Sequence, residues 1–181
     1  MSSSACLAQP PVGWAARRSL PCDSAVFAEL GAAVLRLGVA VRFAARGMSM
    51  QPLLQDGDLL TVQPVAAQRL WVGDVALCMV EPGRVVAHRV LRKVRLGDDL
   101  RIVVQGDRAP QPDGALSAEQ ILGRVVLVER GERRLRMNAV PLRVLGWMAA
   151  LRSRGDVPAG ALGGLTARWL RRMPGLRRYL A

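Results

Sequence analysis

The 181-residue chain contains very little of several residue types that usually carry chemistry. It has one histidine, His88, one lysine, Lys93, and three cysteines, an odd number in no metal-ligand spacing. This scarcity leaves only two side chains as candidates for a catalytic base that could activate a serine. It also favours neither a metal site nor a disulfide framework. We therefore expect no metal and no other cofactor.

A long uninterrupted apolar run is also missing. The best candidate, residues 25–45, is interrupted by Glu29, Arg36 and Arg42, whereas a membrane-spanning helix needs about 20 predominantly apolar residues. Residues 1–24 lack the apolar central run of a secretory signal and are predicted to be a flexible leader. The expected compartment is therefore the cytoplasm.

Acidic residues are scarce in the C-terminal part of the chain. Beyond Glu129 there are 12 basic residues against Glu132 and Asp156, a net charge of +10. Residues 131–181 are predicted to form a basic helical tail, and residues 138–181 mix Trp and Leu with Arg at helical spacing. This pattern is typical of a helix at an anionic membrane surface, here the cytoplasmic face. The alternatives are packing on the domain and, less favoured, nucleic acid, which is not the expected partner.

The middle of the chain reads as mainly β. Short apolar runs alternate with turn signals such as "DGD", "EPG" and "LGDD", a pattern that predicts a mostly antiparallel sheet or a partly closed barrel. The runs are at residues 58–65, 74–81, 84–94, 100–106 and 121–130. A helix over 25–40, capped by Asp23 or Ser24, is predicted to precede them. The segment 25–45 would thus contain a helix and the connection that leads into the β-rich domain, and residues 46–130 would form the functional domain.

One short stretch, "RGMSMQPLLQDGDLL" (46–60), suggests a bent backbone that exposes a hydroxyl, that of Ser49. A nucleophilic serine needs a base. His88 lies within a strand-like run, where a lone histidine is more often a core residue. Lys93, five positions on, should point to the opposite face of that strand, so at most one of the two can face Ser49. The loop "QGDRAPQPDG" (105–114) adds Asp107 and Asp113, either of which could orient an imidazole.

Together these motifs resemble the signal peptidase I and LexA-like group of serine peptidases. The resemblance rests on Ser49 in "SMQPLLQDGD", His88 in "VVAHRV", Asp107 in "VVQGD", Asp113 in "PQPDG" and the closing "ILGRVV", which occur in order between about residues 46 and 128. It implies the β-rich catalytic fold of that group. It also implies a serine endopeptidase that cleaves leader or signal peptides after small residues.

The resemblance assigns the base to His88, as in the endoplasmic-reticulum and archaeal branch of the group. Asp113 would be the orienting carboxylate and Asp107 a supporting residue. Gly47, Met48 and Met50 are expected beside the substrate, with the methionines providing either apolar contact near the scissile bond or core packing.

Two features depart from the group and leave two other functions open. Position 47, where many relatives carry a hydroxyl that assists the oxyanion, is glycine. The anchoring helix usual before the serine motif is not found either. A catalytically weak or silent scaffold protein of the same fold is therefore one alternative. A LexA-like self-cleaving regulator is a weaker one, because no DNA-reading motif precedes Ser49.

Overall fold

The computed structural model of the chain describes residues 24–137. The predicted leader, the predicted cap Asp23 and the segment 138–181, with its predicted membrane contact, lie outside the described residues. Within the described part, no helix is long and apolar enough to cross a membrane.

One helix and eight strands make up the described domain, so the expectation of a mainly β fold is confirmed. The elements are α1 (Ser24–Arg36), β1 (Val41–Ala44), β2 (Leu59–Gln63), β3 (Val75–Glu81), β4 (Arg84–Leu96), β5 (Asp99–Gln105), β6 (Ala115–Ser117), β7 (Ile121–Arg130) and β8 (Arg133–Arg136), with short 3₁₀ helices at Ala67–Arg69 and Ala118–Gln120. The five predicted apolar runs agree with β2, β3, β4, β5 and β7 to within two residues at each end.

Three short strands and one helix end differ from the expectation. β1, β6 and β8 span only three or four residues each, too short for a pattern of alternation to be visible. β8 also lies inside 131–181, so the first part of the predicted helical tail is a strand. The helix ends at Arg36 rather than at residue 40, because Gly38 adopts a φ of 82°. The amides of Gly38 and Val39 then bond back to the last turn, which closes the helix.

The strands form one sheet in which every pairing is antiparallel. Its order is β1-β2-β7-β3-β4-β5-β6, with β8 paired to β7. The central strand β7 pairs with β2 along one side and with β3 and then β8 along the other. Among residues 24–137, β7 is the last long strand, yet it lies between β2 and β3 in the sheet. It therefore joins the β1–β2 pair to the rest of the domain.

Apolar side chains fill both faces of this sheet. One buried cluster contains Leu60, Val62, Leu77, Val125 and Val128, and α1 covers it with Ala32 and Leu35. The other contains Cys78, Val90, Ile102 and Val104, beneath Leu70. Each large side chain buried in this way stabilises the fold by roughly 1.5–3 kcal/mol relative to exposure.

A β-bulge in β4 changes which side chains share a face. The pairing of β4 with β5 shifts between Val90 and Arg92, which leaves Leu91 as the extra residue. Lys93 therefore pairs with Ile102, on the face that also carries Val90 and, two residues earlier, His88. The expectation that His88 and Lys93 point to opposite faces is wrong, because simple alternation does not hold across a bulge.

Cys78 offers a test of how tightly the core is closed. Its side chain is fully buried, and burial, followed by the negative charge of Asp113, raises the pKa of the thiol to about 12. In a Cys6→Ser/Cys22→Ser variant at pH 8, Cys78 should therefore resist a thiol reagent such as DTNB. Guanidinium chloride should make the thiol react promptly, because unfolding removes the burial and the nearby charge that raise its pKa. Prompt stoichiometric reaction of the native protein would contradict this packing.

Candidate functional site

Two loops and one strand bring the site residues together. Ser49 lies in the loop between β1 and β2, His88 lies on β4, and Asp113 lies in the loop after β5. The three occur at widely separated positions in the sequence. The sheet order places β4 directly beside β5, so the loop that leaves β5 starts next to the histidine.

A continuous chain of hydrogen bonds connects these three side chains. Ser49 Oγ lies 2.9 Å from His88 Nε2, and His88 Nδ1 lies 2.5 Å from Asp113 Oδ2. With Asp113 accepting from the proton on Nδ1, Nε2 of the neutral imidazole is left as an acceptor for the serine hydroxyl. His88 is only 5% exposed, whereas Ser49 is exposed. The arrangement therefore presents an open hydroxyl against a buried, oriented imidazole.

The loop that carries Ser49 is held in shape by its own acidic residues. Gly47 has a φ of 91°, a conformation that favours glycine, and its N–H donates to Asp56 Oδ1 at 2.8 Å. Asp58, which is buried, accepts from the amide of Gln55 at 2.8 Å and from the guanidinium of Arg130 through both carboxylate oxygens. Asp58 therefore supports the backbone of this loop, and Arg130 anchors the carboxylate to β7.

The two methionines of this loop differ in environment. Met48 is 62% exposed, whereas Met50 is 4% exposed and belongs to the core cluster under α1. Of the two roles expected for them, core packing therefore applies to Met50. Met48 remains free to contact a bound molecule beside Ser49.

Asp107 lies close to the site but does not contact His88. It forms a bidentate pair with Arg89, with Nε–Oδ1 and Nη2–Oδ2 distances of 2.6 Å each. Arg89 is also buried and donates through Nη1 to the carbonyl of Gly73 at 2.8 Å. Asp107 thus ties the start of the 105–114 loop to the residue that follows His88.

Sequence reasoning did not single out Arg89 or Gly106. Arg89 follows the histidine directly. The signal available in the sequence was the dipeptide "HR" on one predicted strand and the dipeptide "GD" at the end of the next, which contain the paired residues Arg89 and Asp107. Gly106 has almost no space around it: a Cβ there would lie 2.9 Å from the carbonyl oxygen of Ser49 and 3.1 Å from His88 Nε2. Only glycine allows the serine loop to approach the histidine this closely.

Lys93 takes no part in this arrangement. Its ammonium group donates to the carbonyls of Gln68 and Leu70, at 2.7 and 3.0 Å. The side chain is half-buried, and it has a structural role at the end of a 3₁₀ helix. In the described residues, no group of three His, Cys, Asp or Glu side chains could hold a metal ion.

Comparison with known proteins assigns no family to the chain. No protein-family model matches it, and no curated protein is similar to it at a significant level.

The Arg89–Asp107 pair leads to a prediction about stability. Asp107→Asn leaves the buried guanidinium without a counter-charge and should lower the free energy of unfolding by roughly 3 kcal/mol. The matched control is Asp99→Asn, which breaks the pair with Arg101 between side chains that are 49% and 38% exposed. This control substitution should lower the free energy of unfolding by about 1 kcal/mol or less. Urea unfolding followed by circular dichroism measures both, and equal small losses would show that the pair contributes little.

Proposed function

We propose that this protein is a serine endopeptidase with Ser49 as nucleophile, His88 as general base and Asp113 as orienting carboxylate. The observation that carries the proposal is the hydrogen-bonded chain of these three side chains, in which Ser49 is an exposed residue and its Oγ lies 2.9 Å from Nε2. The sequence resemblance to the histidine branch of the signal peptidase I and LexA-like group supports the same three roles. It also favours leader or signal peptides as substrates, cleaved after small residues.

The reaction begins when the imidazole of His88 takes the proton of Ser49 and the alkoxide attacks a peptide carbonyl carbon. The tetrahedral intermediate expels the amine, which receives that proton from Nε2, and leaves an ester on Ser49. His88 then removes a proton from water, which attacks the ester, and the peptide acid leaves as the serine regains its proton. Asp113 stabilises the imidazolium in both halves of the reaction.

The intermediate also needs hydrogen-bond donors for its oxyanion. Across residues 24–137, the N–H of Ser49 bonds to no acceptor, so it is available for this role. Gly47 provides no side chain, and its N–H is already bonded to Asp56. The oxyanion hole would therefore be built from backbone, which favours slower turnover than in relatives with an assisting hydroxyl. The silent-scaffold alternative rests on this same feature.

Substitution of the nucleophile and the base tests the proposal. Ser49→Ala and His88→Gln should each lower the rate of peptide cleavage by about 10⁴-fold or more, because they remove the attacking group and its base. Lys93→Gln is the control, since the ammonium group of Lys93 donates to two backbone carbonyls outside the proposed site. Cleavage of a peptide library rich in Ala and Gly, read by mass spectrometry, reports all three variants. Loss of activity in Lys93→Gln with His88→Gln still active would assign the base to lysine, and an inactive parent would favour the scaffold alternative.

Gly106 provides a second test, which depends on geometry alone. In Gly106→Ala the new methyl group would lie against Ser49 and His88 Nε2 and should push the two apart. A displacement of about 1 Å at a reacting group can cost about 100-fold in rate. Gly97→Ala is the control for backbone strain without a clash at the site. Gly97 has a φ of 63°, so alanine there is strained, but a Cβ meets nothing within 4 Å and the residue lies in the β4–β5 turn. Equal kcat values for the two variants would contradict the proposed Ser49–His88 contact.

A further inference from the structure

A pocket on another part of the domain shares no residue with the proposed active site. It has a volume of 740 Å³ and lies between the end of α1, the segment after β2, the first 3₁₀ helix and the start of β7. This volume is typical of small-molecule sites. Three arginines line it, Arg36, Arg69 and Arg124, above the apolar side chains of Leu35 and Leu122.

The positive charge of this pocket is poorly compensated. Within residues 24–137, neither Arg36 nor Arg69 forms a salt bridge with an acidic side chain. Arg124 reaches Asp74 only at 3.5 Å through Nη1. Its Nε is buried and has no hydrogen-bond acceptor in the described residues. A buried donor without an acceptor is uncommon, and here it belongs to a guanidinium that lines a cationic pocket.

Guanidinium groups favour a particular class of ligand. Their planar fork of donors matches the oxygens of phosphate and carboxylate groups. A phosphate would supply negative charge to Arg36 and Arg69 and oxygen acceptors to the solvent-accessible part of the Arg124 side chain, which is 28% exposed.

One lining residue of this pocket and the two neighbours of another expose large apolar side chains. Trp71 lines it and is 63% exposed, while Leu37 and Val39, on either side of the lining residue Gly38, are 81% and 55% exposed. Three large apolar side chains at the rim of a cationic pocket are unfavourable in water. They are favourable at the headgroup level of a bilayer, where tryptophan is enriched and arginines contact anionic lipids.

We infer that this pocket binds the phosphate of an anionic phospholipid at a bilayer surface, with Trp71, Leu37 and Val39 at headgroup depth. The inference goes beyond the proposed peptidase activity and does not depend on it. It assigns membrane contact to the folded domain, in addition to any contribution from residues 138–181.

Vesicle binding by the full-length chain tests this inference. In Arg36→Gln/Arg69→Gln, affinity for dioleoylphosphatidylglycerol vesicles should fall about 30-fold, at about 1 kcal/mol for each arginine near the surface. The matched control, Arg92→Gln/Arg95→Gln, removes the same charge from exposed positions on β4 outside the pocket. Its affinity for the same vesicles should fall by less than about threefold. Both variants keep residues 138–181, so the difference between them reports the pocket alone. Equal losses would overturn the inference in favour of non-specific attraction.

Two further measurements separate the lipid from a free anion and check the apolar rim. Vesicles of brominated phosphatidylglycerol should quench the tryptophan fluorescence of the parent protein more than that of Trp71→Phe, because Trp71 would lie within reach of the acyl chains. Phosphatidylcholine vesicles should bind the parent and the pocket variant equally weakly. If inorganic phosphate raises the Tm of the parent but not of the pocket variant, while both bind phosphatidylglycerol vesicles equally, the pocket takes a free anion and the lipid assignment is wrong.

Discussion

A bidentate ion pair between Arg89 and Asp107 joins β4 to the loop after β5 at the point where the site is assembled. Arg89 is the residue after His88, and Asp107 follows Gly106, where any side chain would collide with Ser49. Both side chains are largely buried, so the pair is held by short, charge-assisted bonds in a medium that strengthens them. The loop that leaves this pair donates the amide of Arg108 to the carbonyl of Ser49 at 2.8 Å and ends at Asp113. The spacing of Ser49, His88 and Asp113 therefore depends on one buried contact that belongs to none of them.

The long strands could be predicted from the sequence because each buries a run of apolar residues between clear turns. The short ones could not. β6 has three residues, and its place at the sheet edge depends on pairing with β5 rather than on its own pattern. β8 is formed by "RRLR", in which only Leu135 is buried, so its basic composition pointed to the tail instead. Its strand character comes from the hairpin with β7.

The candidate site residues could be selected from the sequence because histidine and lysine are so rare, and motif order paired His88 with Ser49 and Asp113. The sequence could not predict the face of β4 to which each of the two candidate bases points. The bulge at Leu91 places His88 and Lys93 on one face of the sheet. Which of the two contacts Ser49 then depends on their positions along the strand, and His88 is the residue within hydrogen-bond distance. Lys93 is held by the carbonyls of Gln68 and Leu70, contacts with a segment that carries no sequence signal. Arg89 was likewise hidden, because a buried arginine looks in sequence like any surface arginine.

The two proposed sites are connected through one strand. Ala76 of β3 pairs with His88 on one side and with Arg124 on the other. Adjacent strands are about 4.8 Å apart, so the backbone of the proposed base and that of the pocket arginine are separated by roughly 10 Å across the sheet. Both positions belong to one hydrogen-bonded row of the sheet. A phospholipid bound at Arg124 would therefore fix the height of Ser49 above the bilayer, and peptides lying at that surface would be the ones within its reach.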